Sequence, residues 1–278
     1  MTQQDGPILV LGATGKTGRR VVERLRARGL AVRPGARGAT PAFDWTDPAS
    51  WAPALAGARA VYIAYHPDLA VPGAPETVRR FADLALAAGA RRLVLLSGRG
   101  EEEAERAESL LAASGADWTI LRASWFAQNF SESFLADAVR AGEIALPVGD
   151  AAEPFIDADD IADVAAAALS EPGHIGRLYE LTGPRLLTFD EATQEIADAT
   201  GRAIRFTRPT PAAYRAALAQ AGTPNDLAEL LIYLFTTVLD GRNARTADGV
   251  AQALGRPARD FRDYARRAAA AGAWEAAA

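Results

Sequence analysis

Three glycines at GxxGxxG spacing directly follow a short apolar run near the start of this 278-residue chain. The run is Ile8-Leu9-Val10-Leu11, and the glycine loop is Gly12-Ala13-Thr14-Gly15-Lys16-Thr17-Gly18. A buried strand, a tight glycine turn and a helix beginning near Gly15 let a backbone approach a pyrophosphate and offer it free N–H groups. The order of elements predicts a dinucleotide-binding loop rather than a glycine turn without a ligand. Its predicted contacts are Gly12, Thr14, Gly15, Lys16, Thr17 and Gly18.

Short apolar runs alternate with amphipathic helical stretches over the first two-thirds of the chain, as in a parallel sheet covered by helices on both faces. From about residue 185 the pattern is mainly helical. We therefore expect an α/β fold, with a Rossmann-type doubly wound parallel sheet at 1–184. A small, mostly helical C-terminal lobe is expected at 185–278, packed on the first domain and sharing strands with it. The expected strands are Ile8–Leu11, Ala31–Pro34, a short one before Asp44, Ala60–Ala64, Arg92–Leu96, Trp118–Leu121 and Leu178–Leu181.

Composition excludes several kinds of chemistry. The chain has no cysteine, which rules out disulfides, thiolate catalysis and cysteine-held metal centres. A net charge of -5 argues against a general affinity for nucleic acid or anionic membranes. The N-terminal residues lack the basic and apolar regions of a signal peptide, and no apolar stretch is long enough to cross a bilayer. A cytoplasmic location is therefore expected.

The residues after the second strand bear on which nicotinamide cofactor is bound. An acidic residue there would accept hydrogen bonds from the adenosine ribose, yet none occurs between Leu30 and Ala42. Arg33 and Arg37 stand there instead, and a guanidinium can hold a 2′-phosphate through two N–H groups. Arg37 is the better placed of the two, which favours NADP(H) over NAD(H). A solvated loop arginine is the alternative.

Three further residues complete the expected cofactor contacts. Asp44 could accept from the adenine amino group, or it could only cap the turn that follows it. Ala64 and Ser97, at the ends of later strands, are also expected to lie against the cofactor.

With these features in place, the chain resembles the NmrA-like branch of the atypical short-chain dehydrogenases/reductases. The resemblance rests on the glycine loop, on the run from Val32 to Arg37 and on three later segments, and it covers about residues 8 to 170. It implies an NAD(P)-binding Rossmann domain with a substrate cleft beside the C-terminal lobe. The branch contains NADPH-dependent quinone reductases, triphenylmethane reductase and NAD(P)-sensing regulators. The later segments are Ala113 to Arg122, Trp125 to Phe130 and Pro154 to Ala162.

The catalytic pair of ordinary short-chain dehydrogenases is missing. Lys16, in the glycine loop, is the only lysine, so no Tyr-x-x-x-Lys pair can lower the pKa of a tyrosine acid. Ser97 lies where such enzymes place a substrate-binding serine, and Tyr65 or His66 could donate a proton. His66 could equally be a plain loop residue. Hydride transfer here should need an acceptor that demands little protonation, such as a quinone or a conjugated enone.

Aromatic residues after the sixth expected strand suggest the shape of the acceptor. Trp125, Phe126 and Asn129 would line a wall suited to a flat, conjugated molecule, with Tyr233 in the lid. Simple packing is the alternative for all of them. No metal site is expected, because Asp157, Asp159 and Asp160 have no histidine or cysteine at ligand spacing. Their short spacing ahead of Ile161 instead predicts an N-cap and backbone-anchoring role. His174 is expected in an exposed turn.

Two functions remain open at this point. The first is an NAD(P)H-dependent oxidoreductase, with NADPH favoured, that reduces an aromatic or conjugated small molecule. The second is a non-catalytic NADP(H)-binding sensor that acts through a protein partner. A homodimer is compatible with either function.

Overall fold

Six apolar runs lie side by side in one parallel sheet in the computed structural model, which describes residues 6–275. The sheet order is β2-β1-β3-β4-β5-β7. From β1 the chain first adds β2 on one side and then crosses over to add β3 on the other side of β1, so the strand order reverses at this point of the sheet. A separate two-stranded parallel sheet pairs β6 with β8. Numbered along the chain, the strands are β1 Ile8–Leu11, β2 Val32–Gly35, β3 Ala60–Ile63, β4 Arg92–Gly98, β5 Asp117–Ala123, β6 Glu143–Ala145, β7 Arg177–Leu181 and β8 Arg205–Thr207.

Eleven α-helices lie within residues 6–275, and in eight of them the residue that follows the helix is a glycine or an alanine. In order they are α1 Lys16–Ala27, α2 Trp51–Leu55, α3 Ala74–Ala87, α4 Glu102–Ala112, α5 Phe134–Ala141, α6 Ala158–Ser170, α7 Phe189–Thr200, α8 Pro211–Gln220, α9 Asn225–Tyr233, α10 Gly249–Leu254 and α11 Phe261–Ala270. Short 3₁₀ turns lie at Pro48–Ser50 and Ala127–Phe130, and a π-helix at Leu234–Val238. No helix in the described range is long and apolar enough to span a membrane.

The chain forms two compact units that interleave along the sequence. The first comprises the residues up to 123, together with 158–181 and 248–257. The second comprises 124–157, 182–247 and the residues from 258 onward. A functional division at residue 184 therefore stays a prediction, since the compact units themselves are discontinuous.

The first unit is built on buried strands that need no polar face. Every residue of β1 and β3 is buried, as expected for a parallel sheet covered on both sides. The short strand expected before Asp44 is wrong: residues 36–47, all within the described part of the chain, contain no strand. Phe43 and Trp45 from this segment pack instead into an aromatic cluster with Phe81.

The helix after the glycine loop is fastened to α6 by ion pairs. Arg24 donates from Nη2 to Asp159 Oδ1 at 2.6 Å and from Nε to Asp163 Oδ1 at 3.1 Å. Arg20 adds a contact to Asp159 at 3.2 Å. These aspartates thus hold α1 through side chains, whereas the sequence predicted a capping and backbone-anchoring role for Asp159.

The second unit has an aromatic core of its own. The ring centroids of Phe130 and Phe155 are 5.6 Å apart, and each of these rings lies within 6 Å of both Phe189 and Phe261 in edge-on or tilted pairs. Thr188 and Glu191 form the predicted capping box at the start of α7.

His174 is not the exposed turn residue that the sequence suggested. It is only 7% exposed, and its Nδ1 lies 2.9 Å from the hydroxyl of Tyr179. Burial lowers the pKa of His174, so the ring stays neutral at physiological pH.

Candidate functional site: a dinucleotide loop and its surroundings

The glycine loop has a backbone shape that only glycine supports at two positions. Gly12 has a φ of 64°, in the left-handed region that side chains disfavour. A Cβ on Gly18 would stand 2.1 Å from the carbonyl oxygen of Gly12, so α1 can pass this close to the loop only without a side chain. The amide of Gly15 closes the turn by donating to Gly12 O at 2.8 Å.

The N-terminus of α1 is open to an anion. Its N-cap residue, Gly15, has no side chain with which to cap the helix, and its first turn contains no acidic residue. A 12-residue helix directs the positive end of its dipole and its first N–H groups toward this point. Thr14 is exposed beside it and Lys16 is the first helical residue, whereas the side chain of Thr17 is buried. Thr17 could therefore contact a phosphate through its backbone only.

Gly12 also lies against the end of β3. Its added Cβ would be 3.4 Å from the Cβ of Ala64, which places Ala64 directly beside the glycine loop. The carbonyl of Ala64 accepts a hydrogen bond from Trp45 Nε1 at 3.0 Å. The glycine loop, the start of α1 and the end of β3 thus lie against one another, and the glycines allow this close approach because they have no Cβ. This arrangement fits a dinucleotide pyrophosphate.

The two arginines after β2 have different roles. Arg33 donates to the carbonyls of Ala54 and Ala56, both at 2.7 Å, and so ties β2 to the end of α2. Arg37 is exposed just beyond the end of β2 and makes no hydrogen bond or ion pair within residues 6–275. Of these two arginines, Arg37 is therefore the one whose guanidinium is available to a ligand.

Asp44 has the geometry of a turn cap. Its Oδ1 accepts from the backbone N–H of Thr46 at 2.9 Å and from the Thr46 hydroxyl at 2.8 Å. These hydrogen bonds, the backbone one foremost, lower the pKa of Asp44. The contact between Asp44 and an adenine amino group stays a prediction.

Tyr65 and His66 differ in how firmly they are held. The Tyr65 ring is half-buried against Trp45, with ring centroids 4.9 Å apart. His66 is exposed and precedes Pro67 through a cis peptide bond. Both residues follow the C-terminal end of β3, so either could donate a proton only to an acceptor bound at that end of the strand.

Ser97 is committed to a buried carboxylate. It is 4% exposed, and its hydroxyl donates to Glu108 Oε1 at 2.6 Å. Glu108, on α4, is 3% exposed and also accepts from Arg122 Nε at 2.9 Å. Arg122 in turn lies 3.6 Å from Glu180 on β7. This network was not predicted from the sequence, although Glu108 lies on the buried, otherwise apolar face of α4, where a charge needs a partner.

Replacing Ser97 should therefore affect stability more than chemistry. We expect Ser97→Ala to lower the free energy of unfolding by about 1–3 kcal/mol, because the buried Glu108 carboxylate loses one of its donors. Turnover should change less than about tenfold, whereas losing a catalytic proton donor typically lowers the rate by about 10²–10⁴-fold. Urea unfolding and steady-state kinetics on the same preparation check both parts, with Ser109→Ala on the exposed face of α4 as the control. A kinetic loss of 10²-fold at unchanged stability would contradict the structural role.

A pair of carboxyl groups lies beside Ser97, at the same edge of the sheet. Glu101, just before α4, places its carboxylate 2.4 Å from where a Cβ of Gly98 would be. It is hydrogen-bonded to Asp68, which follows β3 and also accepts from the amide of Ala70 at 2.9 Å. Burial raises the pKa of both groups, and for Glu101 the neighbouring Asp68 and Glu108 charges add to the rise. Two carboxyl groups can bond to each other only if one keeps a proton.

This pair predicts a dependence of stability on pH. The folded state raises the pKa of Glu101, so its stabilising effect is complete below the unfolded value of about 4.3 and is lost as pH rises through the folded pKa. Glu101→Gln keeps the hydrogen bond and cannot ionise. We expect the melting temperature of the wild type to fall more steeply than that of Glu101→Gln between pH 4.5 and 8. Glu102→Gln, on the exposed neighbour, should follow the wild type; parallel curves for all three proteins would refute the shared proton.

The residues expected on the substrate side all lie in the second unit. Trp125 stacks on Phe235 with centroids 5.1 Å apart and planes 25° apart, and it is half-buried. The backbone N–H of Asn129 donates to Phe126 O at 3.0 Å, and the backbone carbonyl of Asn129 accepts from the Ser133 hydroxyl at 2.6 Å. Tyr233 ends α9, immediately before the π-helix. Phe126 is half-buried at a backbone bridge to Ile156.

No group of three or more histidine, cysteine or carboxylate residues among residues 6–275 could hold a metal ion. Asp157, which the sequence analysis weighed as a capping residue, accepts from Gln128 Nε2 at 2.7 Å and pairs with Arg267.

Comparison with known proteins gives a consistent result. A protein-family model described as "NAD(P)H-binding" matches residues 12–172. An NAD(P)H azoreductase of Xenophilus azovorans is 31% identical over 95% of this chain and 98% of its own. A (4-alkanoyl-5-oxo-2,5-dihydrofuran-3-yl)methyl phosphate reductase of Streptomyces griseus is 34% identical over 92% of this chain and 96% of its own.

Solved structures share the fold. The triphenylmethane reductase of Citrobacter sp., complexed with NADP(H), superposes with a TM-score of 0.74 at 21% identity, covering 95% of this chain and 99% of that one. The quinone oxidoreductase QOR2 of Escherichia coli, complexed with NADPH, gives 0.75 at 24% identity, covering 94% and 99%. The Rossmann-type α/β fold expected from the sequence is confirmed. With its glycine loop and these relatives, the chain belongs to the NAD(P)H-binding family, in agreement with its resemblance to the NmrA-like short-chain dehydrogenases/reductases.

Proposed function

We propose that this protein is an NADPH-preferring reductase of flat, conjugated small molecules such as quinones. The observation that carries the proposal is the commitment of the Ser97 hydroxyl to Glu108, in a chain that has no Tyr-x-x-x-Lys pair. A simple ketone becomes an alkoxide on reduction and needs an acid beside it. A quinone or enone spreads the developing charge over its conjugated system, so protonation can follow from solvent.

The chain's own residues divide the task. The amides at the glycine loop and the start of α1 hold the pyrophosphate, and Arg37 holds the 2′-phosphate through its unpaired guanidinium. When bound, NADPH supplies hydride to the acceptor. Overall, quinone, NADPH and one proton give hydroquinone and NADP⁺. We assign cofactor binding to the first unit and acceptor selection to Trp125, Phe126, Asn129 and Tyr233 of the second.

The names of the relatives support this class of acceptor. One relative is an azoreductase, and the Streptomyces relative is a reductase of a 4-alkanoyl-5-oxo-2,5-dihydrofuran, whose ring double bond is conjugated with its carbonyl groups. A homodimer and a cytoplasmic location stay predictions from the sequence.

Matched acceptors test the proposal. NADPH oxidation is followed at 340 nm with a benzoquinone, an azo dye, cyclohexenone and cyclohexanone, the last two differing only in conjugation. We expect turnover with at least one conjugated acceptor and none above background with cyclohexanone. Reduction of cyclohexanone alone would refute the acceptor class. Tight NADP(H) binding without turnover of any acceptor would favour the non-catalytic sensor instead.

A further inference from the structure

A cavity of about 700 Å³ opens within the second unit, where α7 and α11 end and where α5 contributes a residue of its last turn. Its size is within the range of small-molecule sites. None of the residues assigned above to the cofactor or the acceptor lines it. The residues that line it are Arg140, Ala199, Thr200, Arg202, Arg266, Ala269, Ala270, Trp274 and Glu275.

The charged groups of this lining are the guanidinium groups of Arg140, Arg202 and Arg266 and the carboxylate of Glu275. Arg140 donates to the carbonyl of Ala273 at 3.1 Å and pairs with Asp137. Arg202 donates to the carbonyls of Trp274 at 3.0 Å and Arg140 at 2.6 Å. Both side chains thus serve helix ends, as basic residues commonly do. Since a guanidinium has five N–H donors, each also keeps further donors available.

Arg266 differs from the other two arginines. It is exposed on α11 and makes no hydrogen bond or ion pair with any of residues 6–275. Its charge is therefore not used by the fold. An arginine that serves no helix end, beside two that are already oriented, gives the cavity a net positive charge.

The rest of the wall is apolar and partly aromatic. Ala199, Ala269 and Ala270 provide the space through their small side chains. Trp274 is 2% exposed, and its ring is fixed because Nε1 donates to the carbonyl of Phe130 at 2.7 Å. A fixed indole beside small apolar residues suits a flat ring, and the arginines suit an acidic group attached to it.

We propose that this cavity binds a small aromatic anion: an aryl carboxylate, sulfonate or phosphate. The site is independent of the dinucleotide loop and of the proposed reduction. Its acidic group contacts Arg266 with support from Arg202, and its ring lies against the alanines and Trp274.

Calorimetric titration with 8-anilinonaphthalene-1-sulfonate tests the proposal. Saturating NADP⁺ keeps the probe out of the dinucleotide site, and the neutral N-phenyl-1-naphthylamine serves as the uncharged comparison. We expect the wild type to bind about one equivalent of the sulfonate and Arg266→Glu to weaken that binding at least tenfold, since a charge-assisted contact becomes a repulsion. Binding of the neutral amine should change less than about twofold. Arg26→Glu, at an exposed arginine of α1, is the matched control and should bind like the wild type.

A second variant tests the location. Ala270→Trp fills the cavity without removing a charge, and should weaken both probes while the thermal unfolding temperature stays near that of the wild type. Equal sulfonate binding by the wild type, Arg266→Glu and Ala270→Trp would overturn the proposal. So would the absence of any sulfonate binding to the wild type.

Discussion

Arg37→Glu is expected to weaken NADPH binding by about 100-fold, or about 2.7 kcal/mol, while NADH binding changes less than about threefold. Arg37 makes no hydrogen bond or ion pair within residues 6–275, and its charge only adds to the Thr46 hydrogen bonds that lower the pKa of Asp44, so the substitution should disturb the fold little. In the proposed complex it removes a bidentate, charge-assisted contact to the 2′-phosphate and puts a negative charge in its place. NADH has no 2′-phosphate, and a carboxylate there can accept from its ribose hydroxyls. Titration of both cofactors by calorimetry gives the two dissociation constants.

Arg33→Gln is the matched control for this experiment. Arg33 is the neighbouring basic residue, but its guanidinium donates to the carbonyls of Ala54 and Ala56. We expect Arg33→Gln to lower the melting temperature and to leave the ratio of NADPH to NADH affinity unchanged. A loss of that ratio in Arg33→Gln, with Arg37→Glu behaving like the wild type, would move the phosphate contact to Arg33.

Gly18→Ala is expected to lower the affinity for either cofactor at least 100-fold. In an ordinary helix this change would stabilise the protein by up to about 1 kcal/mol. Here the new Cβ would stand 2.1 Å from Gly12 O, so the loop and α1 must separate. The N–H groups that face the pyrophosphate would then lose their common direction.

A graded pair of controls accompanies Gly18→Ala. Gly15→Ala would place its Cβ 3.2 Å from the same oxygen, and we expect a smaller loss of affinity. Gly149→Ala meets nothing within 4 Å and should bind both cofactors normally. If Gly18→Ala bound NADPH as tightly as Gly149→Ala does, the loop would not be the phosphate site.

The periodicity of apolar residues and the positions of glycines were sufficient to predict the strand and the helix that flank the glycine loop. The apolar run Ile8–Leu11 and the glycines after it predicted β1 and α1, because a buried parallel strand and an amphipathic helix have distinct periods. The strand expected before Asp44 failed for a tertiary reason. Phe43 and Trp45 pack edge-on with Phe81 from α3, and this contact is not visible in local alternation.

The site was harder to predict, since its side chains are held by residues distant in sequence. Ser97 has the position of a substrate-binding serine, yet its hydroxyl is bonded to Glu108 on the following helix. The segment from residue 100 to 108 contains both Glu101 and Glu108, and its many acidic residues are typical of a solvated helix start. Whether an acidic residue is solvated or buried depends on the face that it presents, and Glu101 precedes the helix whose period would reveal that face.

The interleaving of the two units also exceeded what local pattern could reveal. Residues 158–181 belong to the first unit although residues 124–157 before them belong to the second. Within the first unit, α6 packs against α1 through Asp159 and Asp163. The short spacing of Asp157, Asp159 and Asp160 predicted a helix start, but it could not predict which arginines of α1 would pair with α6.

The proposed reductase activity and the role of Arg37 are tested together by kcat/KM for NADPH and for NADH with the same quinone, under anaerobic conditions. We expect quinone-dependent oxidation of both cofactors, with NADPH favoured at least tenfold and the preference lost in Arg37→Glu. Equal use of the two cofactors would contradict the role given to Arg37. Cofactor binding without oxidation by the quinone or by any other conjugated acceptor would contradict the reductase itself.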